Sequence, residues 1–372
     1  MRVLVAPDSF KGSLSALEVC GLIKDALESA VAGCAVDCIP VADGGEGTAD
    51  SFVFACGASI AKAEVTAPDF NKVRARYAVM GDTAVIETAQ ASGLPLVKGQ
   101  NDPVLATSYG SGDLILDALD KGCKRIILGI GGSATNDGGI GCLSALGVRF
   151  LDANGIEVEP NGLGMSKIKS IDTSGLDSRI NECEFTVLCD VENPLYGENG
   201  AAYIYAPQKG ADAERVVFLD NALRNYELAV KKCIGVDFAA DKGSGAAGGM
   251  GYGFRVFLGA TLKSGAKTVL DICGFDERAA RADVIITGEG RFDSQSLMGK
   301  VPSEVIGRAG GKPVVVLCGM SLLEKAQGVT AIFESNLLHL PFEQVLPTCK
   351  ESLYTAVSGD VADFLKKIEK NS

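Results

Sequence analysis

Several short stretches place groups able to hold or move charge directly behind apolar runs. Asp8, Ser9 and Lys11 follow Val3-Leu4-Val5 and supply a carboxylate, a hydroxyl and a cation. That set suits a phosphate or a magnesium ion, although the same residues would also make an ordinary solvated capping loop. In the stretch ADGGEG at 42–47, Asp43, Gly44 and Glu46 could ligate a metal or hydrogen-bond a polyol, or simply open a helix with acidic first-turn residues. The densest stretch is TGEGRFDSQS at 287–296, which carries Glu289, Arg291, Asp293, Ser294 and Gln295. An arginine there can grip a carboxylate or phosphate through parallel hydrogen bonds, unless the charges only form a structural ion-pair network. Asp190, behind Phe185-Thr186-Val187-Leu188-Cys189, could accept a proton from a substrate hydroxyl or cap a helix.

The stretch GIGGSATNDGG at 129–139 behaves differently, because it holds five glycines and no basic residue. Glycine N–H groups ahead of a helix N-terminus can bind a phosphate without a side-chain cation. A tight turn with Asn136 or Asp137 as helix cap would use the same residues.

These loops need strands and helices to position them. Val3–Val5 reads as a strand, followed by a helix through Leu17, Leu22, Ile23, Ala26 and Leu27 that Ser13 or Ser15 would cap. Further apolar runs at 36–41, 125–128, 185–189, 283–286 and 313–317 each end in a polar turn, and a helix is expected from Thr48 to about Cys56. Residues 60–65, 73–80 and 84–87 read as consecutive strands with no helix between them. Strands alternating with helices predict an α/β protein with largely parallel sheets, whose ligands bind beyond the carboxyl ends of the strands. Boundaries near 80 and 282 divide the expectation into two domains enclosing a cleft.

At 372 residues, 47% hydrophobic and 22% charged, the chain is globular in composition, and no apolar run approaches the roughly 18 residues of a membrane span. Its start, MRVLVAPDSF, lacks a secretory pattern, so cytoplasmic residence is expected. The 12 cysteines contain no CxxC pair and stand beside a single histidine, which favours reduced thiols and argues against zinc. A formal charge of -12 opposes nucleic-acid binding and leaves small molecules as partners. The segment GSGAAG at 243–248 matches a dinucleotide fingerprint, but Lys263 stands where the ribose-binding acid is expected and no clear strand precedes it. Its continuation, MGYGFRVFLGATL, reads instead as a glycine-rich helix packed closely on something. A nicotinamide-dependent oxidoreductase is therefore an alternative, as is a non-catalytic two-lobed binding protein.

The assembled motifs resemble the bacterial glycerate kinase family of the GarK type along nearly the whole chain. The resemblance is carried by APDSFKGSLSA (6–16), PVADGGEGTADSF (40–52), ETAQASGL (87–94), TSYGSGDLI (107–115), GIGGSATNDGGIGCLSALG (129–147), CDVENPLYGENGAA (189–202), PQKGAD (207–212), GSGAAGGMGYG (243–253) and ITGEGRFDSQSLMGK (286–300). It implies ATP-dependent phosphorylation of D-glycerate with Mg2+, usually at the 2-position, with 3-phosphoglycerate as the alternative product. It also implies two interleaved α/β domains with the active site in the cleft between them: a Rossmann-like one at 1–80 plus 283–372 and a flavodoxin-like one at 81–282. On this basis Lys11, Arg291 and Asp190 are the expected catalytic residues. Gly131, Gly132, Ser133, Ala134, Asn136 and Asp137 are expected to bind ATP. Ser9, Asp43, Gly44, Arg291 and Gln295 are expected to bind glycerate, and Asp293, Glu289 and Asp8 to serve the metal. Met298 stands where many relatives are expected to carry histidine, so no histidine acts there. The oligomeric state stays open, and a homo-oligomer is compatible with the sequence.

Overall fold

In the computed structural model, residues 1–97 and 101–371 are described, and they divide into two units. The first comprises residues 1–43, 50–57 and 264–372; the second comprises 44–49 and 58–263. Both are α/β, as the alternation of apolar runs and helical segments predicts.

Among the described residues, the first unit holds a five-stranded sheet in the order Ala331–Glu334, Val314–Ser321, Val284–Phe292, Arg2–Val5, Ala35–Cys38, parallel throughout. From Arg2–Val5 the chain proceeds to one side for its next strand and returns on the other side for Val284–Phe292. This reversal is a topological switch point, where the loops beyond two neighbouring strands diverge and leave a crevice. The helix Ala16–Ala30 packs on the sheet through Val19, Cys20, Ile23, Ala26 and Leu27, all buried. Its start is fixed by Ser15, whose Oγ accepts the Glu18 N–H at 3.2 Å while Glu18 accepts the Ser15 N–H at 3.0 Å. Such a reciprocal cap contributes about 1 kcal/mol and decides between the two serines.

Val284–Phe292 is longer than its apolar run indicates. Pairing with Val314–Ser321 continues through Glu289 opposite Cys318 and Arg291 opposite Met320. Half of the polar motif expected as a loop is therefore strand, and that rigid support fixes the direction of its side chains.

The second unit holds, among the described residues, a six-stranded sheet in the order Thr261–Lys263, Glu184–Leu188, Arg125–Gly129, Thr83–Glu87, Lys72–Met80, Ser59–Thr66. The first four run parallel and the last two pair antiparallel. A boundary near 80 would cut this hydrogen-bonded run, and the unit instead takes up the chain again at Ala58. Its core is a single cluster that includes Leu114, Ile126, Leu128, Leu143, Phe185, Val187, Leu219, Tyr226 and Phe254. Among the described residues no helix is long and apolar enough to cross a membrane.

Candidate active site

The switch point of the first unit gathers most of the chemically capable residues. Thr287 donates to the Ala6 carbonyl at 2.8 Å and Asp8 N–H donates to the Gly288 carbonyl at 2.8 Å, so the ends of the two neighbouring strands are tied together. Beyond them lies a cavity of about 590 Å³ whose polar wall includes Ser9, Lys11, Glu289, Arg291, Gln295 and Lys300.

The charges there perturb one another. Asp8 is buried, and its Oδ1 accepts the Ser9 N–H at 2.7 Å. Burial, with Asp43 and Glu289 adding repulsion against the opposing pull of Lys11, raises its pKa to about 7. Lys11 Nζ lies 2.9 Å from Asp43 Oδ2. Desolvation works against the lysine's charge, but Asp43, Asp8 and Glu289 outweigh it and raise its pKa. Glu289 is also raised, chiefly by burial, and its Oε1 is buried with no hydrogen-bond partner. Its other oxygen stands 3.9 Å from Lys300 Nζ. A buried carboxylate oxygen without a donor is a position that a hard cation would satisfy.

Arg291 is exposed and lies 3.5 Å from Asp293 Oδ2. Asp293 caps the short 3-10 turn Ser294–Leu297: its Oδ1 accepts the Gln295 N–H at 2.9 Å, and Ser296 Oγ accepts the Asp293 N–H at 2.9 Å. The Asp293 carboxylate thus holds Gln295 through Oδ1 and faces Arg291 through Oδ2. Among the described residues no three His, Cys, Asp or Glu side chains converge as a ready-made metal cage. Magnesium commonly takes one or two carboxylates and completes its shell with phosphates and water, so the absence of a full cage does not decide the matter.

The glycine motif belongs to the second unit and is largely interior. Gly131 is half-buried and Gly132 exposed, but Ser133, Ala134, Asn136 and Asp137 are buried. Gly131 N–H donates to the Gly44 carbonyl at 3.3 Å, Ala134 N–H to Ser92 at 2.8 Å and Gly138 N–H to Gly248 at 2.9 Å. Asp137 accepts from Ser108 N–H, Ser108 Oγ, Gly139 N–H and Gly141 N–H at 2.9, 2.7, 3.0 and 3.3 Å. Burial raises its pKa against the pull of these donors. Ala134, Asn136 and Asp137 are buried; the Asp137 carboxylate is satisfied from within, whereas Asn136 Oδ1 and Nδ2 have no hydrogen-bond partner. Gly44 meets the same loop: a Cβ at Gly129 would lie 2.6 Å from the Gly44 carbonyl oxygen, so the glycines allow two backbones to touch. The GSGAAG segment packs here too, for a Cβ at Gly248 would fall 2.6 Å from Asn136 Cα. It enters the helix Ala246–Leu258 as interior packing, as its glycine content implies.

Lys209 is the residue the sequence did not reveal. It comes from the turn Pro207–Lys209, is buried, and donates to Ser133 Oγ at 2.9 Å and to the Thr135 carbonyl at 2.7 Å. Burial lowers its pKa to about 7, although Asp137 opposes the shift. Asn101 reinforces the contact by donating to both the Ala134 and the Lys209 carbonyls, at 2.8 and 2.7 Å. The motif that seemed to lack a cation has one beneath it. The only hint was its row of small polar residues, which, once buried, demands donors from elsewhere. Asp190 is exposed in the loop after Glu184–Leu188, also in the second unit.

A parallel sheet whose switch point presents cations and perturbed carboxylates in a crevice defines an α/β protein that acts on small anions. A profile of the glycerate kinase family matches residues 3–366. The glycerate kinase of Bacillus subtilis (strain 168) is 46% identical over 375 residues, covering 98% of each chain. The glycerate 2-kinase of Escherichia coli (strain K12) is 45% identical over 343 residues and 90% of each chain. A crystal structure described as a candidate glycerate kinase 2 from Salmonella typhimurium LT2 superposes with a TM-score of 0.86 at 42% identity, over 100% of this chain and 99% of that one. The chain belongs to the glycerate kinase family and is an enzyme of the kinase class.

Proposed function

We propose that the enzyme transfers the γ-phosphoryl group of ATP to the 2-hydroxyl of D-glycerate, giving 2-phosphoglycerate and ADP, with Mg2+ as the required ion. The observation that carries this reading is the set Lys11, Arg291 and Lys300 facing Asp8, Asp43 and Glu289 at the switch point. Phosphoryl transfer needs positioning and charge neutralisation more than covalent help, and that set supplies both. The 2-position is supported by the name of the Escherichia coli relative.

Lys11 would neutralise the transferring group, with Asp43 holding the ammonium in place at 2.9 Å. Arg291 would bind the glycerate carboxylate, aided by Ser9 and Gln295 and oriented by Asp293. Glu289 and Asp8 are the residues suited to Mg2+, which when bound would offset the negative charge of the nucleotide phosphates. The motif Gly131, Gly132, Ser133, Ala134, Asn136 and Asp137 would serve the nucleotide phosphates, with the turn Gly131-Gly132 as its open part and the buried residues behind it. Asp190 would accept the hydroxyl proton as the new oxygen–phosphorus bond forms and the bond to ADP breaks. The first unit is read as the Rossmann-like part of the family architecture and the second as the flavodoxin-like part. Cytoplasmic action, where ATP is made, belongs to the same reading.

The decisive assay is ADP formation from Mg-ATP on addition of D-glycerate, with phosphorus NMR of the product. No glycerate-dependent ADP would remove the activity, and a 3-phosphoglycerate signal would move the position of transfer.

A further inference from the structure

The cavity at the switch point has a second half that glycerate does not explain. The same cavity is lined by Phe10, Leu14, Leu340, Phe342, Val345 and Leu346. Phe10 and Leu14 are buried, whereas Phe342 is 52%, Leu346 42% and Leu340 38% exposed. A three-carbon acid carries a polar group on every carbon and gains little from such a wall. At about 590 Å³ the cavity is also far larger than that acid needs, and lies within the roughly 300–1,000 Å³ of sites that enclose drug-sized ligands. A ligand matched to both halves is amphipathic, with an anionic end and a flat apolar end.

A polar lining residue bonded to Leu340 of the apolar set narrows this further. Asn336 lines the cavity and closes its own turn: its Nδ2 donates to the Leu340 carbonyl at 2.9 Å and its Oδ1 accepts the Leu340 N–H at 3.0 Å. A side-chain amide has two donors and two acceptor lone pairs, so one of each remains. One donor beside one acceptor is the pattern that complements an adenine edge, where N6–H2 donates and N7 accepts; the corresponding guanine edge shows two acceptors. The turn is held in a demanding conformation, with His339 at φ 48°, and Glu334 Oε2 stands 3.6 Å from His339 Nε2.

We propose that this apolar half binds the adenine and ribose of the nucleotide, with Phe342 against the base and Asn336 at its edge, while the phosphates extend toward Lys11, Arg291 and Lys300. The inference rests on the phosphoryl-transfer reading above and assigns the nucleoside subsite that reading leaves open. Phe342 is exposed enough for its replacement to leave the fold intact, which circular dichroism would verify.

Steady-state kinetics of Phe342→Ser tests the assignment. The KM for ATP rises about tenfold or more, as loss of base stacking produces elsewhere, while the KM for glycerate stays within about twofold. In the unaltered enzyme, adenosine inhibits competitively against ATP and not against glycerate, and GTP is used less efficiently than ATP. A raised KM for glycerate with an unchanged KM for ATP would overturn the assignment, as would no change in either. So would adenosine competing with glycerate. Absence of any glycerate-dependent ADP formation in the unaltered enzyme is a separate result, and it removes the kinase reading itself.

Discussion

In the five-stranded sheet the chain reverses beside its first strand, and the loops leaving Arg2–Val5 and Val284–Phe292 keep Lys11, Arg291 and Gln295 open to solvent. In the six-stranded sheet the strands follow one another in chain order, and the loop leaving Arg125–Gly129 turns inward until Asp137 is wholly buried. Both loops follow a parallel strand and both look like ligand loops in one dimension. The first pairs Lys11 with Asp43 but leaves two carboxylates strained: Asp8 is raised to about 7 and Glu289 has an orphan oxygen. The second satisfies its carboxylate with several donors. The second loop keeps unsatisfied polarity too, but in neutral groups, Thr135 Oγ1 and the Asn136 amide, rather than in a carboxylate.

That contrast can be broken by substitution. Lys11→Met should lower kcat/KM for ATP by about 10²–10³-fold with an unchanged melting temperature, because it removes charge compensation where charge develops. A loss under tenfold would take the switch-point cavity out of the reaction. Asp190→Asn is expected to reduce kcat by about 10²-fold or more while glycerate still binds, as measured by equilibrium titration. Near-normal turnover would confine the chemistry to the first unit.

The next effect is smaller and concerns pH. Asp8 is raised to about 7, so it is mostly protonated below that value, and a cation can use it only after the proton leaves. Mg2+ affinity, measured by calorimetry without nucleotide, should therefore fall about tenfold between pH 8 and pH 6, and Asp8→Asn should flatten this dependence. The smallest effect belongs to the second unit. Lys209 is depressed to about 7 in the folded protein, from an ordinary value of 10.5. The unfolded chain then binds the extra proton between these values, so stability in urea rises as pH increases from about 7 toward 10.5. Lys209→Met should lose that rise; if it keeps the slope, the buried amine is not its origin.

Much of this was legible in one dimension. The strands at 125–129 and 184–188, the three consecutive strands from 59 to 87 and the helix Thr48–Cys56 follow their apolar patterns closely. Residues 8–11 and 289–295 could be recognised because charged residues behind a buried strand have few structural uses. The continuation of pairing to Phe292 was hidden, since Gly288 and Gly290 read as a turn although they sit in a strand. Lys209 was hidden for a different reason. Its partners lie 76 and 74 residues away, and no local pattern signals a lysine whose amine is destined for the interior. The glycines of 129–139 signalled close approach correctly, but sequence does not say whether a phosphate or another stretch of backbone makes it.

The pairing of Arg2–Val5 with Val284–Phe292 also bears on how the protein is made. Thr287 reaches Ala6 across 281 residues of chain, and Glu289 and Arg291 lie on the late strand. At roughly 5–20 residues per second a ribosome needs tens of seconds to span that interval. During that time the first strand can pair only with Ala35–Cys38, while the continuous stretch 58–263 emerges able to build its own core. The switch-point cavity is thus among the last parts to be completed, and a product truncated before Val284 would carry the stretch of the second unit and Lys11 but neither Glu289 nor Arg291.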